Sequence, residues 1–314
     1  MKSTSSSKIP TSENFAAAAL RSQKRYAIEQ NFANVFEEPE TRIIENSAAY
    51  QSLSPIEANL LHVLSVAGDA ASRVLRHYFG SRLKVNIKAD ESPLVTIADL
   101  QAERAIRRVL EQLVPLHGIL GEELGFKRPE SRYTWVLDPI DGTLAFTTGK
   151  LSFGTLIGLL QEEELIMGLI EQPILQERWL GVKGQPTTLN GKPVKTKSNT
   201  DLARAVLSIT TTATFKTEAQ KAALTKLQEA VQITSFGGDC YHFGLMAGGS
   251  IDVIFESGFQ FYDFAAVVPV VEGAGGVITD WQGKPLSRNS KGEILACANK
   301  ALHEKVLNLL AGTV

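Results

Sequence analysis

Hydrophobic and polar positions along this chain follow two periods, and the change from one to the other maps its elements. From residue 54 the helical period comes first. Leu60, Leu61, Leu64, Ala67, Ala71, Val74, Leu75 and Tyr78 recur every three or four residues and line one helix face. Ser54-Pro55-Ile56-Glu57 opens this helix as a capping box with proline at the first helical position, and Gly80 stops it. A second helix is predicted from Ile97 to Val114, ending before Pro115. Short strands follow at Gly118–Gly121, Thr134–Asp138 and Gly154–Leu160, the last turning through Gln161–Glu164 into Leu165–Ile170 as a hairpin. Glu177–Val182 continues the sheet. After turns at Gly184 and Gly191 the pattern predicts strand Ala205–Thr210, helix Glu218–Val231, strand Gln232–Phe236 and a helix from Cys240. Strand Asp252–Glu256, a helix from Asp263, strands Val277–Asp280 and Ile294–Cys297, and helix Ala301–Leu310 complete it. Alternating helices and strands around an antiparallel hairpin predict a layered α/β fold.

Composition narrows the classes. The 314 residues are 44% hydrophobic and 21% charged, ordinary for a globular chain, and a net charge of −2 offers no basic footprint for nucleic acid. No apolar run is long enough to predict a membrane span. The two cysteines, Cys240 and Cys297, make neither a disulfide framework nor a zinc spacing, which fits a reducing, cytoplasmic setting. Residues 1–53 read as a partly helical extension. They are Ser- and Thr-rich with Lys2, Lys8, Arg21, Lys24 and Arg25, yet Glu37, Glu38, Glu40 and Glu45 are acidic. A transit peptide, and hence an organelle, is the alternative.

The chemistry concentrates in Trp135-Val136-Leu137-Asp138-Pro139-Ile140-Asp141-Gly142-Thr143. An apolar strand ends in two carboxylates three residues apart, with Pro139 stiffening the backbone between them. Acids so placed repel each other and resist desolvation, so a cation is expected between them. Oxygen donors suit Mg²⁺ better than zinc. Gly142 and Thr143 stand where a helix can start, with free N–H groups for a phosphate. Four more segments set acids at the edges of apolar elements: Glu122-Glu123, Asp99 at the second helix, Glu256 ending a strand, and Asp263 between Tyr262 and Phe264. Taken singly, each also reads as a helix cap, a solvated turn or a surface strand end.

Together, Gly121-Glu122-Glu123, Asp138-Pro139-Ile140-Asp141-Gly142-Thr143, Tyr262-Asp263 and Glu272-Gly273-Ala274-Gly275-Gly276 make residues 54–310 resemble the inositol monophosphatase-like family of magnesium-dependent phosphatases. The resemblance implies an αβαβα sandwich with mixed sheets, a metal-binding half over residues 54–184 and an α/β half over 185–314, and a homodimer. It implies that Glu122, Asp138, Asp141, Asp263 and the Ile140 carbonyl hold two or three Mg²⁺ ions. Thr143 then orients the attacking water with Asp99 behind it, Gly142 and Thr143 bind phosphate through their amides, Glu256 contacts the organic part of the substrate, and Glu123 is an outer acid. The substrate is a small phosphate ester.

Gly237-Gly238-Asp239-Cys240-Tyr241, Tyr262-Asp263-Phe264 and Gln172-Pro173-Ile174-Leu175-Gln176-Glu177-Arg178-Trp179 look most like the histidinol-phosphate phosphatase branch. Asp239 and Glu256 would then pair with the ammonium and imidazole of that substrate. An inositol or broad sugar monophosphatase is the alternative, and a phosphate-binding protein without turnover is a further one. Phe261 and His242 depart from that branch's pattern. The other histidines, His62, His77, His117 and His303, read as structural.

Overall fold

The computed structural model describes residues 50, 52–81, 86–87 and 94–313; the basic and acidic segments before residue 50 lie outside these. Helix α1 (Pro55–Tyr78) starts at the expected capping box: Ser54 Oγ accepts from the Glu57 amide, and the Glu57 carboxylate accepts from the Ser54 amide. Helix α2 (Ile97–Leu113) is capped by Thr96. Between them Asn86–Ile87 (β1) and Leu94–Val95 (β2) form a small antiparallel pair.

Eight strands then build the larger sheet: β3 (Gly118–Gly121), β4 (Gly125–Lys127), β5 (Tyr133–Asp141), β6 (Gly154–Gln161), β7 (Glu164–Gln172), β8 (Glu177–Val182), β9 (Thr188–Leu189) and β10 (Lys192–Pro193). They lie in the order β10-β9-β8-β7-β6-β5-β3-β4, antiparallel except for the β3–β5 pair. A short helix α3 (Thr143–Thr148) follows β5. The smaller sheet is β12-β11-β13-β15-β14, from β11 (Val206–Ile209), β12 (Ile233–Phe236), β13 (Val253–Glu256), β14 (Val277–Thr279) and β15 (Ile294–Cys297), with mixed pairing. The remaining helices are α4 (Glu218–Ala230), α5 (Tyr241–Ala247), α6 (Phe261–Ala265), α7 (Val267–Gly273) and α8 (Lys300–Leu310).

Alternation along the strands assigns the layers. On one face of the larger sheet Trp135, Leu137, Ile157, Leu159, Met167, Leu169 and Leu180 pack under Leu60, Leu64 and Ala67 of α1 and Ile106 and Leu110 of α2. On the other, Leu156, Ile170 and Trp179 meet Phe243 and Met246 of α5 and Val267, Val270 and Val271 of α7, which also cover Ile254, Ile278 and Ile294 of the smaller sheet. Leu224 and Leu227 of α4 and Leu302 and Val306 of α8 close the far face. The αβαβα order expected from the resemblance is the order found.

Two features position the site. Gly158, Gly168 and Gly181 stand side by side across β6, β7 and β8. A Cβ on Gly168 would lie 1.9 Å from the Ala266 carbonyl oxygen, and one on Gly181 2.3 Å from the Pro269 carbonyl carbon. These glycines let the end of α6 and the first turn of α7 settle directly on the sheet. Beneath the other face, Arg178 of β8 lies opposite Glu171 of β7 and bonds it at 2.5 Å, and it bonds Asp69 of α1 at 2.7 Å; all three are buried. Ser72 donates to the second Glu171 oxygen at 2.6 Å. Tyr50, ahead of the first capping box, is also in this core, its hydroxyl donating to the Leu180 carbonyl at 2.9 Å.

Candidate active site

Strand β5 does not end at Asp138, as its apolar run suggested. It pairs with β6 through Asp141, with a register shift between Asp138, opposite Leu156, and Asp141, opposite Gly154. Residues three apart on a regular strand point to opposite faces. The extra residue of this bulge brings both carboxylates to one side, and Pro139, which cannot donate to a ladder, sits where a bulge tolerates it. Thr155 Oγ1 donates to the Pro139 carbonyl at 2.8 Å and secures the irregular segment.

One carboxylate oxygen each from Asp138, Asp141 and Asp263 lie within 4.8 Å of one another, an arrangement able to hold a metal ion. Burial raises the pKa of all three, and the neighbouring carboxylates, Glu122 among them, raise them further. Asp141 is pushed up to about 7. Oxygen-only donors in mutual repulsion fit a hard divalent cation.

Asp263 lies third in α6, which begins two residues before the predicted start. Its Oδ2 accepts from the Gln260 amide at 2.7 Å. Asp263 therefore caps its helix and belongs to the three-acid cluster at once. Asp99 likewise combines the two roles offered for it, helix cap and contact with Thr143. Its Oδ2 accepts from the Thr96 amide and hydroxyl at 2.7 and 2.6 Å, while Oδ1 faces the Thr143 hydroxyl at 3.4 Å. Thr143 Oγ1 also lies 3.2 Å from the Ile140 carbonyl oxygen. Gly142 precedes α3 with φ 79°, a left-handed conformation that glycine adopts without strain, and no side chain caps this end.

A loop of the second half, at Asp239 and Cys240, also reaches into the site. The Cys240 amide donates to Asp141 Oδ2 at 2.5 Å. Asp239 lies over Gly142, where a Cβ would be 2.9 Å from its carboxyl carbon, and Ser152 donates to Asp239 Oδ2 at 2.5 Å. Glu256 is fully buried, which rules out a surface strand end. Its Oε1 accepts from the Thr210 amide at 2.5 Å. Burial pushes its carboxyl up to about 8, outweighing that hydrogen bond, and Asp141 and Asp239 act in the same direction.

Sequence reasoning missed Glu103. This buried carboxylate accepts from the Glu123 amide at 2.8 Å and the Leu124 amide at 3.2 Å and pairs with Arg107, and it anchors the turn that carries Glu122. Glu103 lies one helical turn beyond Asp99 on α2. That spacing was visible; its partner turn was not. Ser152 and Thr210 were missed because their partners are 87 and 46 residues away.

The raised carboxyls predict a pH effect on the metal-free protein. A buried acid whose folded pKa lies above its unfolded value contributes stability that is complete below the unfolded value, near 3.8 for aspartate, and lost as pH rises through the folded one, about 7 for Asp141. In chelator, Asp141→Asn should therefore melt above the parent by a margin that grows from pH 4 to 7, about 2–4 °C for each kcal/mol of repulsion removed. Calorimetry of both proteins across that range checks this; a variant less stable than the parent throughout would contradict it.

The model of the inositol monophosphatase family matches residues 57–313, and the chain belongs to that family. It is 44% identical over 251 residues to a protein of Arabidopsis thaliana named bifunctional phosphatase IMPL2, chloroplastic, over 77% of this chain and 72% of that protein. A histidinol-phosphatase of Chlorobaculum parvum is 30% identical over 76% of this chain and 92% of its own length. Among solved structures, an inositol monophosphatase from Zymomonas mobilis shares 44% identity, with a TM-score of 0.74 over 82% of this chain and 99% of that one. The protein is thus a phosphatase of a metal-dependent family. Among the described residues no helix is long and apolar enough to cross a membrane.

Proposed function

We propose that this chain is a Mg²⁺-dependent phosphate monoester hydrolase that converts L-histidinol phosphate and water to L-histidinol and phosphate. The observation that carries the substrate is a pair of acids outside the carboxylate cluster: Asp239, lying over Gly142, and Glu256, within its electrostatic reach. A phosphate cradle flanked by such acids suits an ester whose organic part is cationic.

Glu122, Asp138, Asp141, Asp263 and the Ile140 carbonyl hold two or three Mg²⁺ ions in this reading, with Glu123 outside them. Bound there, the ions supply Lewis-acid activation of water and neutralise charge on the phosphate. The amides of Gly142 and Thr143, at an uncapped helix start, receive phosphate oxygens. The Thr143 hydroxyl hydrogen is directed to Asp99 or to the Ile140 carbonyl, which leaves an oxygen lone pair to orient the attacking water. Burial raises the pKa of Asp99 above the usual carboxylate value, so it is the better proton acceptor behind Thr143.

A homodimer and a cytoplasmic location complete the reading. An organelle is the alternative, supported by the chloroplastic relative and the Ser- and Thr-rich start of the chain. An inositol or sugar monophosphatase is the second reading, favoured by the likeness to the Zymomonas mobilis structure.

Phosphate release should require Mg²⁺, cease in excess chelator, and fall when Ca²⁺ replaces Mg²⁺, because calcium takes more ligands at longer distances and aligns water less strictly. Undiminished turnover in chelator would overturn the metal mechanism.

A further inference from the structure

Between the sheet and α5 lies a buried polar chain that the hydrolytic roles above do not use. Ser208 on β11, His242 near the start of α5 and Glu256 at the end of β13 are each at most 1% exposed. The His242 ring fits only because residue 238 is glycine: a Cβ there would lie 2.3 Å from His242 Nδ1. Nδ1 is 3.2 Å from Ser208 Oγ. The other ring nitrogen, Nε2, faces Glu256 Oε1 at 3.8 Å, longer than a hydrogen bond. Neither His242 Nε2 nor Glu256 Oε2 has a hydrogen-bond partner, although both are buried. A lone packing histidine would be expected to satisfy both nitrogens. Here an unpaired ring nitrogen stands across from Glu256 Oε1, a gap that a shift of under about 1 Å closes, while Oε2 remains unpartnered.

We infer that Ser208, His242 and Glu256 form a buried hydrogen-bonded chain in the working enzyme, and that His242 is a positioning residue which sets substrate preference by fixing the Glu256 carboxyl. This rests on the reading of a cationic ester as substrate. The Ser208 hydroxyl donates to Nδ1, which places the imidazole hydrogen on Nε2. Nε2–H then joins the Thr210 amide as a second donor to Oε1. Two donors on one oxygen stop the carboxyl from turning and leave Oε2 as its free acceptor. A carboxyl so fixed, ionised by the cation it receives, favours an ammonium or imidazolium over a neutral polyol. An apolar side chain at 242 would leave Glu256 with a single backbone donor and two interchangeable orientations. The Ser208 hydroxyl would also lose its partner.

The test uses the full chain with Mg²⁺. Protein labelled with ¹⁵N in its histidine rings should show His242 as the Nε2–H tautomer, with an Nε2 resonance that moves on Glu256→Gln. Kinetically, His242→Ala should lower the preference for L-histidinol phosphate over inositol 1-phosphate by about tenfold, equivalent to about 1.4 kcal/mol, mainly through KM. His242→Gln, whose amide can still donate to Glu256, should retain most of the preference. Hydrogen on Nδ1 with no response to Glu256→Gln would overturn the pairing, as would an unchanged preference in His242→Ala or equal losses in both variants. If the parent enzyme shows no preference, the substrate reading fails and the specificity role fails with it; the Nε2 resonance then decides the pairing alone. If His242→Ala does not fold, the tautomer of the parent and the kinetics of His242→Gln decide.

Discussion

Asp138→Asn and Asp141→Asn each remove nearly all phosphate release while the protein stays folded. Both side chains project to one side of β5 because of the bulge at Pro139, and both belong to the three-acid cluster with Asp263. Losing one negative charge weakens metal binding and misplaces what remains. A loss of several kcal/mol in transition-state stabilisation corresponds to a rate about 100- to 1000-fold lower. Asparagine keeps the size and one oxygen, so the Cys240 amide retains an acceptor at residue 141 and the Ile140 amide one at residue 138. Circular dichroism and phosphate release measured on the same samples check this. Near-parental turnover at saturating Mg²⁺ in either variant would show that the cluster is not the metal site.

The second large effect is on stability. Arg178→Ala should destabilise the fold by about 3–5 kcal/mol, because it leaves Asp69 and Glu171 buried without their countercharge. Burial opposes the guanidinium charge, but Glu171 and Asp69 outweigh it and hold the Arg178 pKa above its ordinary value. The cluster ties α1 to β7 and β8 under the sheet, so the loss is global. Urea denaturation gives the measurement; a loss below about 1 kcal/mol would mean that the acids find other partners or protons at little cost.

Much of this was legible in the sequence. The helices from Pro55 and Ile97 announce themselves through their caps, and the hairpin of β6 and β7 through its polar turn. The acid pair was legible because two carboxylates ending an apolar strand demand a cation. Features that depend on residues distant in sequence were not. The bulge needs the β6 partner to define it, and the row Gly158, Gly168 and Gly181 emerges only when three strands are set in register. Glu256 is buried against His242 of α5 and Thr210 just beyond β11, and a strand-end acid carries no local sign of such distant partners. Asp99 and Asp263 show that a capping role does not exhaust a carboxylate: each caps its helix, while Asp99 also faces Thr143 and Asp263 belongs to the three-acid cluster.

In the function proposed, Asp239 and Glu256 turn a family phosphatase toward a cationic ester. The most direct test of this is kcat/KM for L-histidinol phosphate against inositol 1-phosphate at saturating Mg²⁺, in the parent and in Asp239→Asn. One charge-assisted hydrogen bond contributes roughly 1.5–3 kcal/mol, so the parent should prefer L-histidinol phosphate by at least about tenfold, and Asp239→Asn should shrink that ratio. Equal efficiency on the two esters in the parent would contradict it and favour the inositol or sugar monophosphatase reading.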